Sequence, residues 1–507
     1  MSTQHAEVAV GHRATGEVSK YLFGALTEHF GYGLYGGVWD TTGDAPRADV
    51  AGAVRGLGTT MLRYPGGCFS DWYHWRDGIG PRHARPTYES TYWTEFEFPV
   101  EMPDPAGFRR QTGPVETNAV GTDEFLQYCV DVGVEPMLAV NFGSGTPDEA
   151  AAWVAHTNRR AASPSPVRWW CVGNETYGPW EIGHCTPEEY ARGFGEYAQA
   201  MRAVDPDIGL VAVGALEPAA TPRADWNATV LADVGEHADA LSVHWYFPGP
   251  FRGRPLRDDE PDFRRLAAAP DHLGELLDGV IAEVDHAVGA ARRMPLALDE
   301  WNMWDRIDDL LHTNRRLCDA VFFGGCYNRM IERADRVRFA MVSHLVNCMA
   351  PIQTEGDRHY VTSAYLVGAL YARHRRHSAV PVTVRCATFT ADAFVEPGAE
   401  ATTLTASAGP PGRVSPLIDA AATADETGVT LFLINRSIDE PCLIDVSGTP
   451  AGTGGILRTV AGPGPFASND VDHPFVLGYR ETVVRATGGG CRVELPPHTV
   501  GALVLDA

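Results

Sequence analysis

The first 345 residues contain eight short apolar runs, and segments with helical spacing lie between most of them. The runs are residues 21–27, 60–64, 136–141, 168–173, 209–214, 240–246, 295–300 and 337–343. Strands buried on both faces have this composition, and strands that alternate with helices build a parallel sheet. Eight such units predict an α/β fold, a (β/α)8 TIM barrel whose functional groups gather at the carboxyl ends of the strands.

Two of the predicted helices begin with the same pattern, at Thr146–Glu149 and Thr186–Glu189. In both, threonine is placed to cap the helix, proline suits the first helical position, and glutamate occupies the third. Residues 272–290 and 313–333 also have helical spacing. These helices supply the alternation that a barrel requires.

The sequence changes character after about residue 378, where helical patterns give way to strand-like runs and Gly/Pro-rich stretches. The runs include residues 429–435, 483–486 and 500–505. This pattern predicts a C-terminal all-β sandwich, similar to a jelly roll. We expect two domains: a catalytic barrel over residues 16–378, and a sandwich formed by residues 1–15 together with residues 379–507.

Composition excludes several classes of function. The formal net charge is −24, whereas nucleic-acid-binding proteins need a basic face. No apolar run is long enough to span a membrane, and residues 1–10 have no apolar signal core, so we expect a cytoplasmic protein. The ten cysteines form no C-x-x-C pair and no zinc-ligand spacing occurs, so we expect no metal.

Two glutamates follow buried-strand patterns and have aromatic neighbours. Glu175 ends WWCVGNE after the fourth run, and Glu300 lies in LALDEWN at the end of the seventh. A buried carboxyl group is costly unless it has partners or a function. Two such groups in one barrel mouth indicate glycoside cleavage. A separation of about 5 Å would predict retention of anomeric configuration, and one nearer ~8 Å would predict inversion.

The surroundings of the two glutamates predict different roles. The apolar neighbours of Glu175 are expected to raise its pKa and keep it protonated, as an acid catalyst requires. Glu300 is expected to stay ionised as the nucleophile, held by hydrogen-bond donors. The candidate donors are Arg63, Tyr246, Trp301 and Asn302. Asp299 is expected to point to the other face of its strand and bond among the helices.

Polar groups follow nearly every predicted strand, which favours a sugar site because a sugar needs many directed hydrogen bonds and an aromatic wall. His29, His244 and His344 are expected to be neutral, hydrogen-bonding imidazoles rather than metal ligands. Residues 94–116 interrupt the alternation of strands and helices. They predict a long loop over the barrel mouth, either a lid or a passive insertion.

Five stretches carry a family resemblance: RYPGGCFSDWYHWRDGIGPRHARP at 63–86, residues 121–158, VRWWCVGNETYGPWEIGHCTPEEY at 167–190, DEWNMW at 299–304 and HLVNCMAPIQTE at 344–355. They resemble glycoside hydrolase family 51, the α-L-arabinofuranosidases. The resemblance implies Glu175 as acid/base and Glu300 as nucleophile. It further implies that Glu28 and Asn174 contact the arabinofuranose, with Tyr246 near the nucleophile. A barrel with a C-terminal β-sandwich, and an intracellular homo-oligomer, trimer or hexamer, are also implied.

The chain departs from the family pattern at three places. Cys68 stands where many members have asparagine, and Val361 lies near the position of a sugar-contacting glutamine. The 94–116 segment is longer than expected, and Trp93 just before it is the candidate aromatic wall.

We therefore predict a retaining, exo-acting glycoside hydrolase that removes terminal non-reducing α-L-arabinofuranosyl groups from oligosaccharides without a cofactor. The alternatives are a related galactofuranosidase, xylosidase or β-glucanase, or a non-catalytic carbohydrate-binding protein. Besides the two catalytic glutamates, the predicted substrate-binding residues are Glu28, Arg63, Cys68, Trp93, Asn174, His244, Tyr246 and Trp301.

Overall fold

The structure is a computed structural model that describes residues 4–42, 44–89, 115–159, 166–216, 225–248, 256–304, 315–392, 412–449, 454–486 and 490–506. Eight parallel strands form a closed barrel. They are β1 (Gly24–Leu26), β2 (Met61–Tyr64), β3 (Glu135–Val140), β4 (Trp169–Val172), β5 (Gly209–Val213), β6 (Ala240–Pro248), β7 (Leu296–Trp304) and β8 (Val337–Ser343). Each strand pairs with the next in the chain, and β8 closes on β1.

A helix lies between each strand and the next, and one follows β8. The helices are α1 (Ala48–Leu57), α2 (Thr122–Val132), α3 (Pro147–Val154), α4 (Pro187–Val204), α5 (Trp226–Val234), α6 (Glu260–Val288), α7 (Ala320–Glu332) and α8 (Ser363–His374). Thr146 and Thr186 cap α3 and α4 as predicted, each accepting a hydrogen bond from the amide of the glutamate three residues later. Within the described ranges, none of the helices has the length and apolarity needed to cross a membrane.

Several element boundaries differ from the prediction; α7, for example, begins at Ala320 instead of residue 313. Lys20–Phe23 forms a 3-10 turn, so strand β1 begins only at Gly24. Helix α6 begins at Glu260 instead of residue 272, and Pro270 lies inside it. A proline normally marks a helix start or kink. Here the ring packs against α7 at Gly325, where an added Cβ would lie 2.6 Å from the proline Cγ.

Two further sheets form the β-sandwich. The seven-stranded sheet has the order Gly16–Glu17, Ser378–Val380, Ile418–Asp425, Gly428–Asn435, Thr499–Asp506, Gly455–Ala461 and Gly478–Val484. The four-stranded sheet has the order Val382–Arg385, Gln4–Val10, Cys442–Ser447 and Gly490–Leu495. Shorter antiparallel pairs join Trp39–Asp40 to Ala45–Pro46, Tyr88–Glu89 to Val115–Glu116, Ile352–Glu355 to Arg358–Val361, and Thr388–Ala391 to Arg413–Pro416.

The apolar core of the sandwich lies between its two sheets. Val8 and Ile444 of the smaller sheet share one buried cluster with Leu431 and Leu503 of the larger sheet. The predicted fold class, a TIM barrel with an all-β C-terminal domain, is confirmed by this architecture. We propose domain limits of 16–378 for the barrel and of 1–15 plus 379–507 for the sandwich. At this boundary, strand Gly16–Glu17 pairs with Ser378 and Ala379 in the larger sandwich sheet.

Buried charges join the barrel to the sandwich. Arg436, in the sandwich, binds both carboxylate oxygens of Asp271 in α6, at 2.8 and 3.0 Å. The same guanidinium lies 2.8 Å from Asp419 of the sandwich. Burial raises the pKa of Asp271, but Arg436 outweighs burial and lowers that pKa. Beside these charges, the ring of Tyr371 in α8 stacks on Phe432 with centroids 4.0 Å apart.

We expect Arg436→Met to lower the free energy of unfolding by about 3–5 kcal/mol, because it leaves Asp271 and Asp419 buried with fewer compensating charges. Urea denaturation followed by tryptophan fluorescence measures this loss. The matched control is Arg485→Met at an exposed arginine, which should change stability by less than about 0.5 kcal/mol. Equal stability of the two variants would show that the junction does not depend on this ion pair.

Candidate active site

The two predicted catalytic glutamates lie in one cleft at the carboxyl ends of the barrel strands. Glu175 follows β4, and Glu300 lies in β7. A carboxylate oxygen of each glutamate and a ring nitrogen of His244 all lie within 4.8 Å of one another. Folding therefore brings together two carboxyl groups that are far apart in the chain.

Local backbone geometry sets the direction of both side chains. Gly173 and Glu175 have φ values of +79° and +39°, which turn the chain sharply out of β4. Leu298 of β7 pairs with Ala340 of β8, and Trp301 pairs with Val342. Between these two pairs β7 advances three residues, whereas β8 advances only two. Such a β-bulge interrupts the alternation of side chains between the two faces of a strand. As a result, Asp299 and Glu300 both contact groups inside the barrel.

The prediction that Asp299 faces the helices is wrong, and the bulge is the physical reason. Asp299 is fully buried in the barrel, where the Ser242 hydroxyl donates a hydrogen bond to it over 2.6 Å. Arg63 Nε lies 3.3 Å from its carboxylate and His244 Nε2 lies 3.5 Å away. Burial raises the pKa of Asp299, but Arg63 and His244 outweigh it and lower the pKa to about 2. A permanent negative charge therefore lies directly below the two glutamates.

Glu300 has the hydrogen-bond donors that a nucleophile requires. Arg63 Nη1 donates to Oε1 over 2.7 Å, and the Tyr246 hydroxyl donates to Oε2 over 2.9 Å. Burial raises the pKa of Glu300, although the charges of His244 and Arg63 oppose that shift. The carboxylate is thus held in one orientation by two groups from neighbouring parts of the barrel wall.

The expected rise in the pKa of Glu175 is wrong in direction. Burial does raise the pKa of this carboxyl, but the hydrogen bonds donated to it outweigh burial and lower the pKa. His244 Nδ1 lies 2.8 Å from Oε1, Trp180 Nε1 donates to Oε2 over 2.7 Å, and Tyr177 donates over 3.2 Å. The aromatic residues that the sequence analysis treated as apolar surroundings therefore act partly as hydrogen-bond donors.

His244 carries a charge, contrary to the expectation of a neutral imidazole. Burial lowers its pKa, but the charge of Glu300 and the hydrogen bonds of Asp299 and Glu175 outweigh burial and raise the pKa to about 10. Both ring nitrogens face carboxylates, which only the imidazolium can satisfy as a donor on each side. The proton nearest to Glu175 is accordingly held on His244.

Glu28 occupies a rigid position beside the catalytic pair. The backbone amides of Gly67 and Phe69 donate to its Oε1 over 3.1 and 3.0 Å, and His344 Nε2 lies 2.8 Å from its Oε2. Gly66 is required here, because an added Cβ would lie 2.9 Å from the Glu28 carboxyl carbon and φ is +157°. The predicted glycine pair thus lets the backbone approach the carboxylates closely.

Asn174 and Cys68 form another part of the cleft wall, together with a residue that the sequence analysis missed. Arg63 Nη2 donates to the Asn174 side-chain oxygen over 2.7 Å, and the Asn174 amide nitrogen donates to Glu181 over 3.1 Å. Cys68 Sγ lies 3.9 Å from the same nitrogen. Glu181 lies in a turn without periodic pattern, and its only signal in the sequence was its closeness to Glu175.

Two predicted aromatic contacts do not belong to the described cleft. Trp301 is buried on the other face of β7, where its ring packs against Phe323 and Tyr327 of α7. Trp301 therefore does not face the cleft, where it was predicted to contact the substrate, because the bulge in β7 turns Glu300 inward and Trp301 outward. Trp93 and most of the 94–116 segment lie outside the described residues.

Among the residues that the structure describes, two groups of side chains could hold a cation: Cys68 with Glu175 and Glu181, and Glu175 with His244 and Glu300. In each group the three possible ligand atoms lie within 4.8 Å of one another. The second group is already paired internally by a charged imidazole. Both groups contain Glu175, and the second also contains Glu300, so a cation in either place would compete with the hydrogen bonds described above.

Family models match two parts of the chain. The model described as the α-L-arabinofuranosidase C-terminal domain matches residues 299–499, and the α-L-arabinofuranosidase 1 domain matches residues 53–158. A curated relative from Bacillus subtilis, named intracellular exo-α-(1→5)-L-arabinofuranosidase 1, is 32% identical over 96% of this chain and 92% of its own length. The chain belongs to the α-L-arabinofuranosidase family. This result confirms the predicted membership of glycoside hydrolase family 51 and the predicted enzyme class.

Further relatives agree with this family assignment. The Streptomyces lividans intracellular exo-α-(1→5)-L-arabinofuranosidase is 33% identical over 83% of this chain, and the match spans 63% of that protein. The Thermotoga maritima α-L-arabinofuranosidase, solved as an arabinose complex, superposes with a TM-score of 0.84 at 28% identity, covering 99% of this chain and 100% of that one. A family 51 enzyme from Bifidobacterium longum gives 0.83 at 26% identity, covering both chains completely.

In this arabinofuranosidase-family site, we expect Asp299→Asn to lower kcat/KM about tenfold to hundredfold, because Arg63 and His244 lose a buried countercharge. Asp299 contributes to the raised pKa of His244. Its removal should lower that pKa, so the loss of activity at high pH should begin at a lower pH than in the wild type. A pH series of kcat/KM on an aryl arabinofuranoside tests this, with the exposed Asp233→Asn as control. An unchanged alkaline limb would contradict the assigned coupling.

Proposed function

We propose that the protein is an exo-acting α-L-arabinofuranosidase that retains anomeric configuration. The observation that carries this proposal is the approach of Glu175 and Glu300, whose nearest carboxylate oxygens lie within 4.8 Å. Retaining glycosidases place their two carboxyl groups about 5–5.5 Å apart, whereas inverting enzymes need roughly 6.5–9.5 Å to admit water. The short separation favours direct attack by one carboxylate on the sugar.

Glu300 is the nucleophile in the first step. Arg63 and Tyr246 hold its two oxygens, so one oxygen can be directed at the anomeric carbon without rotation of the side chain. Attack forms a covalent bond from Glu300 to the sugar while the glycosidic bond breaks. The same two donors are in place before the reaction begins, so the carboxylate needs no reorientation as its charge moves into the new bond.

Glu175 is the acid in the first step and the base in the second. The proton it must deliver lies one hydrogen bond away, on His244 Nδ1 at 2.8 Å from Oε1. Transfer to Glu175 and then to the glycosidic oxygen releases the leaving group. In the second step Glu175 takes a proton from water, whose oxygen attacks the anomeric carbon as the bond to Glu300 breaks, and the return of that proton to His244 Nδ1 restores the starting state.

Sugar recognition is assigned to the polar groups around the catalytic pair. Glu28 and Asn174 contact the arabinofuranosyl hydroxyls, His244 and Tyr246 line the side next to the glutamates, and Cys68 adds a smaller, less polar surface. These roles are supported by the burial and fixed orientation of Glu28 and Asn174. Trp93 keeps its proposed role as an aromatic wall for the leaving group.

The natural substrate class follows from the printed names of the relatives. Those from Bacillus subtilis and Streptomyces lividans are named intracellular exo-α-(1→5)-L-arabinofuranosidases. By analogy, the protein removes terminal non-reducing arabinofuranosyl groups from oligosaccharides in the cytoplasm, without a nucleic-acid or membrane partner. A homo-oligomer, trimer or hexamer, remains a prediction that sedimentation can measure.

The substrate class can be tested with aryl glycosides of α-L-arabinofuranose, β-D-galactofuranose, β-D-xylose and β-D-glucose. We expect the highest kcat/KM on the arabinofuranoside. Proton NMR at early times should show the anomer with the same configuration as the substrate, because two displacements restore it. A faster galactofuranoside, xyloside or glucoside would assign the alternative enzymes, and the inverted first product would exclude Glu300 as nucleophile.

Substitution separates the two catalytic roles. Glu300→Ala should lower kcat by roughly four orders of magnitude or more, because no nucleophile remains. Glu175→Ala should lose less on substrates with activated leaving groups and should recover partly with azide, which needs no general base. The exposed Glu236→Ala is the control for the change itself. Full turnover in both active-site variants would show that neither glutamate acts in catalysis, and no turnover of any glycoside by the wild type would favour a non-catalytic carbohydrate-binding protein.

A further inference from the structure

Glu181 is a third carboxyl group in the wall of the cleft. It follows Glu175 by six positions in the chain and is only 4% exposed. Its Oε1 accepts a hydrogen bond from the Asn174 amide nitrogen over 3.1 Å. Its Oε2 is buried and accepts no hydrogen bond of good geometry from the described residues. A buried carboxyl with one unused oxygen beside a reacting site requires an explanation.

The amide of Asn174 is fixed from both ends. Arg63 donates to its oxygen over 2.7 Å, and Glu181 accepts from its nitrogen. These two contacts define which end of the amide is oxygen and which is nitrogen. The nitrogen also contacts Cys68 Sγ over 3.9 Å, and the second lone pair of the oxygen remains for a ligand.

The charge state of Glu181 follows from the groups that face it. Burial raises its pKa well above the ordinary range, and the charges of Asp71 and Glu175 raise it further, against weaker lowering by Cys68 and Asn174. Tyr177, the other titratable side chain nearby, is itself a buried neutral phenol whose pKa is raised by burial. An ionised Glu181 would place another negative charge within 4.8 Å of Glu175, so the neutral acid is the stable form.

We propose that Glu181 is a positioning residue of the glycosidase reaction, a neutral carboxylic acid that fixes the Asn174 amide so that it meets a sugar hydroxyl in the transition state. This inference rests on the proposed function, since it assigns Glu181 to the sugar-binding wall of that same site. Glu181 does not touch the reacting atoms. Glu181 acts on the reaction through Asn174. Because Glu181 is neutral, it adds no negative charge next to Glu175.

The proposal predicts which kinetic constant changes. Hydrogen bonds to sugar hydroxyls next to the anomeric carbon strengthen in the transition state of glycoside cleavage. A misaligned Asn174 amide would therefore reduce kcat more than it raises KM. A purely structural role for Glu181 would lower the amount of folded protein and leave the constants of the folded fraction unchanged.

The test compares Glu181→Gln with Glu181→Met, which have nearly the same size and no charge. Only the glutamine keeps an oxygen that can accept from Asn174. We expect Glu181→Met to lower kcat about tenfold to hundredfold with less than about a threefold change in KM, and Glu181→Gln to restore kcat to within about fivefold of the wild type. Glu181→Ala replaces the methionine if that variant does not fold. The exposed Glu196→Ala is the control.

The pH dependence tests the neutral state. Since glutamine carries no charge, the acid and alkaline limbs of kcat/KM for Glu181→Gln should coincide with those of the wild type within about 0.3 pH units. A displacement of about one unit would show that position 181 is charged in the wild type and would overturn the proposal. Equal kcat in the methionine variant and the wild type, or equal loss in methionine and glutamine variants, would overturn it as well.

All variants are measured on the aryl glycoside that the wild type hydrolyses fastest. A wrong substrate class would then appear in the wild-type panel alone. A wrong role for Glu181 would appear only in the comparison of variants, so the two failures are distinguishable.

Discussion

The buried guanidinium of Arg63 is the interaction on which the rest of the site depends. It is 1% exposed and reaches Glu300, Asp299 and Asn174 at once. A charge so deep in a barrel is tolerated only where carboxylates and amides surround it closely. Removing any of these partners leaves another one uncompensated. Arg63 and its partners therefore form one electrostatic unit at the centre of the barrel. Glu175 and Glu300, the proposed catalytic carboxylates, lie at the upper edge of this unit.

His244 extends this unit toward the acid/base residue. One ring nitrogen faces Asp299 below, and the other lies between Glu175 and Glu300 above. The imidazolium thereby links the ionised Asp299 to the proposed nucleophile Glu300 and to Glu175, whose protonation alternates in the proposed reaction. Proton transfer from His244 to Glu175 neutralises both groups and leaves the total charge of the cluster unchanged. This coupling is the reason why the pKa of each group depends on all the others.

Sequence patterns predicted the features that depend on local periodicity. The eight apolar runs, the caps at Thr146 and Thr186, and the placement of Glu175 just after β4 all follow from short-range rules, whereas β7 continues past Glu300 to Trp304. The β7 bulge could not be predicted in this way, because it is defined by the register against β8. Strict alternation therefore placed Asp299 on the wrong face. The state of His244 was missed for a related reason, since it depends on carboxylates contributed by other strands.

The N-terminal strand Gln4–Val10 has consequences for the order of assembly. Its partners are Val382–Arg385 and Cys442–Ser447, which are synthesised only after the whole barrel. At 5–20 residues per second, the ribosome needs roughly 20–75 s to travel from residue 10 to residue 385. During that interval the segment is an unpaired edge with apolar side chains Ala6 and Val8 on one face. The segment must therefore stay free of aggregation while the barrel is synthesised. The sandwich can form only when translation is nearly finished.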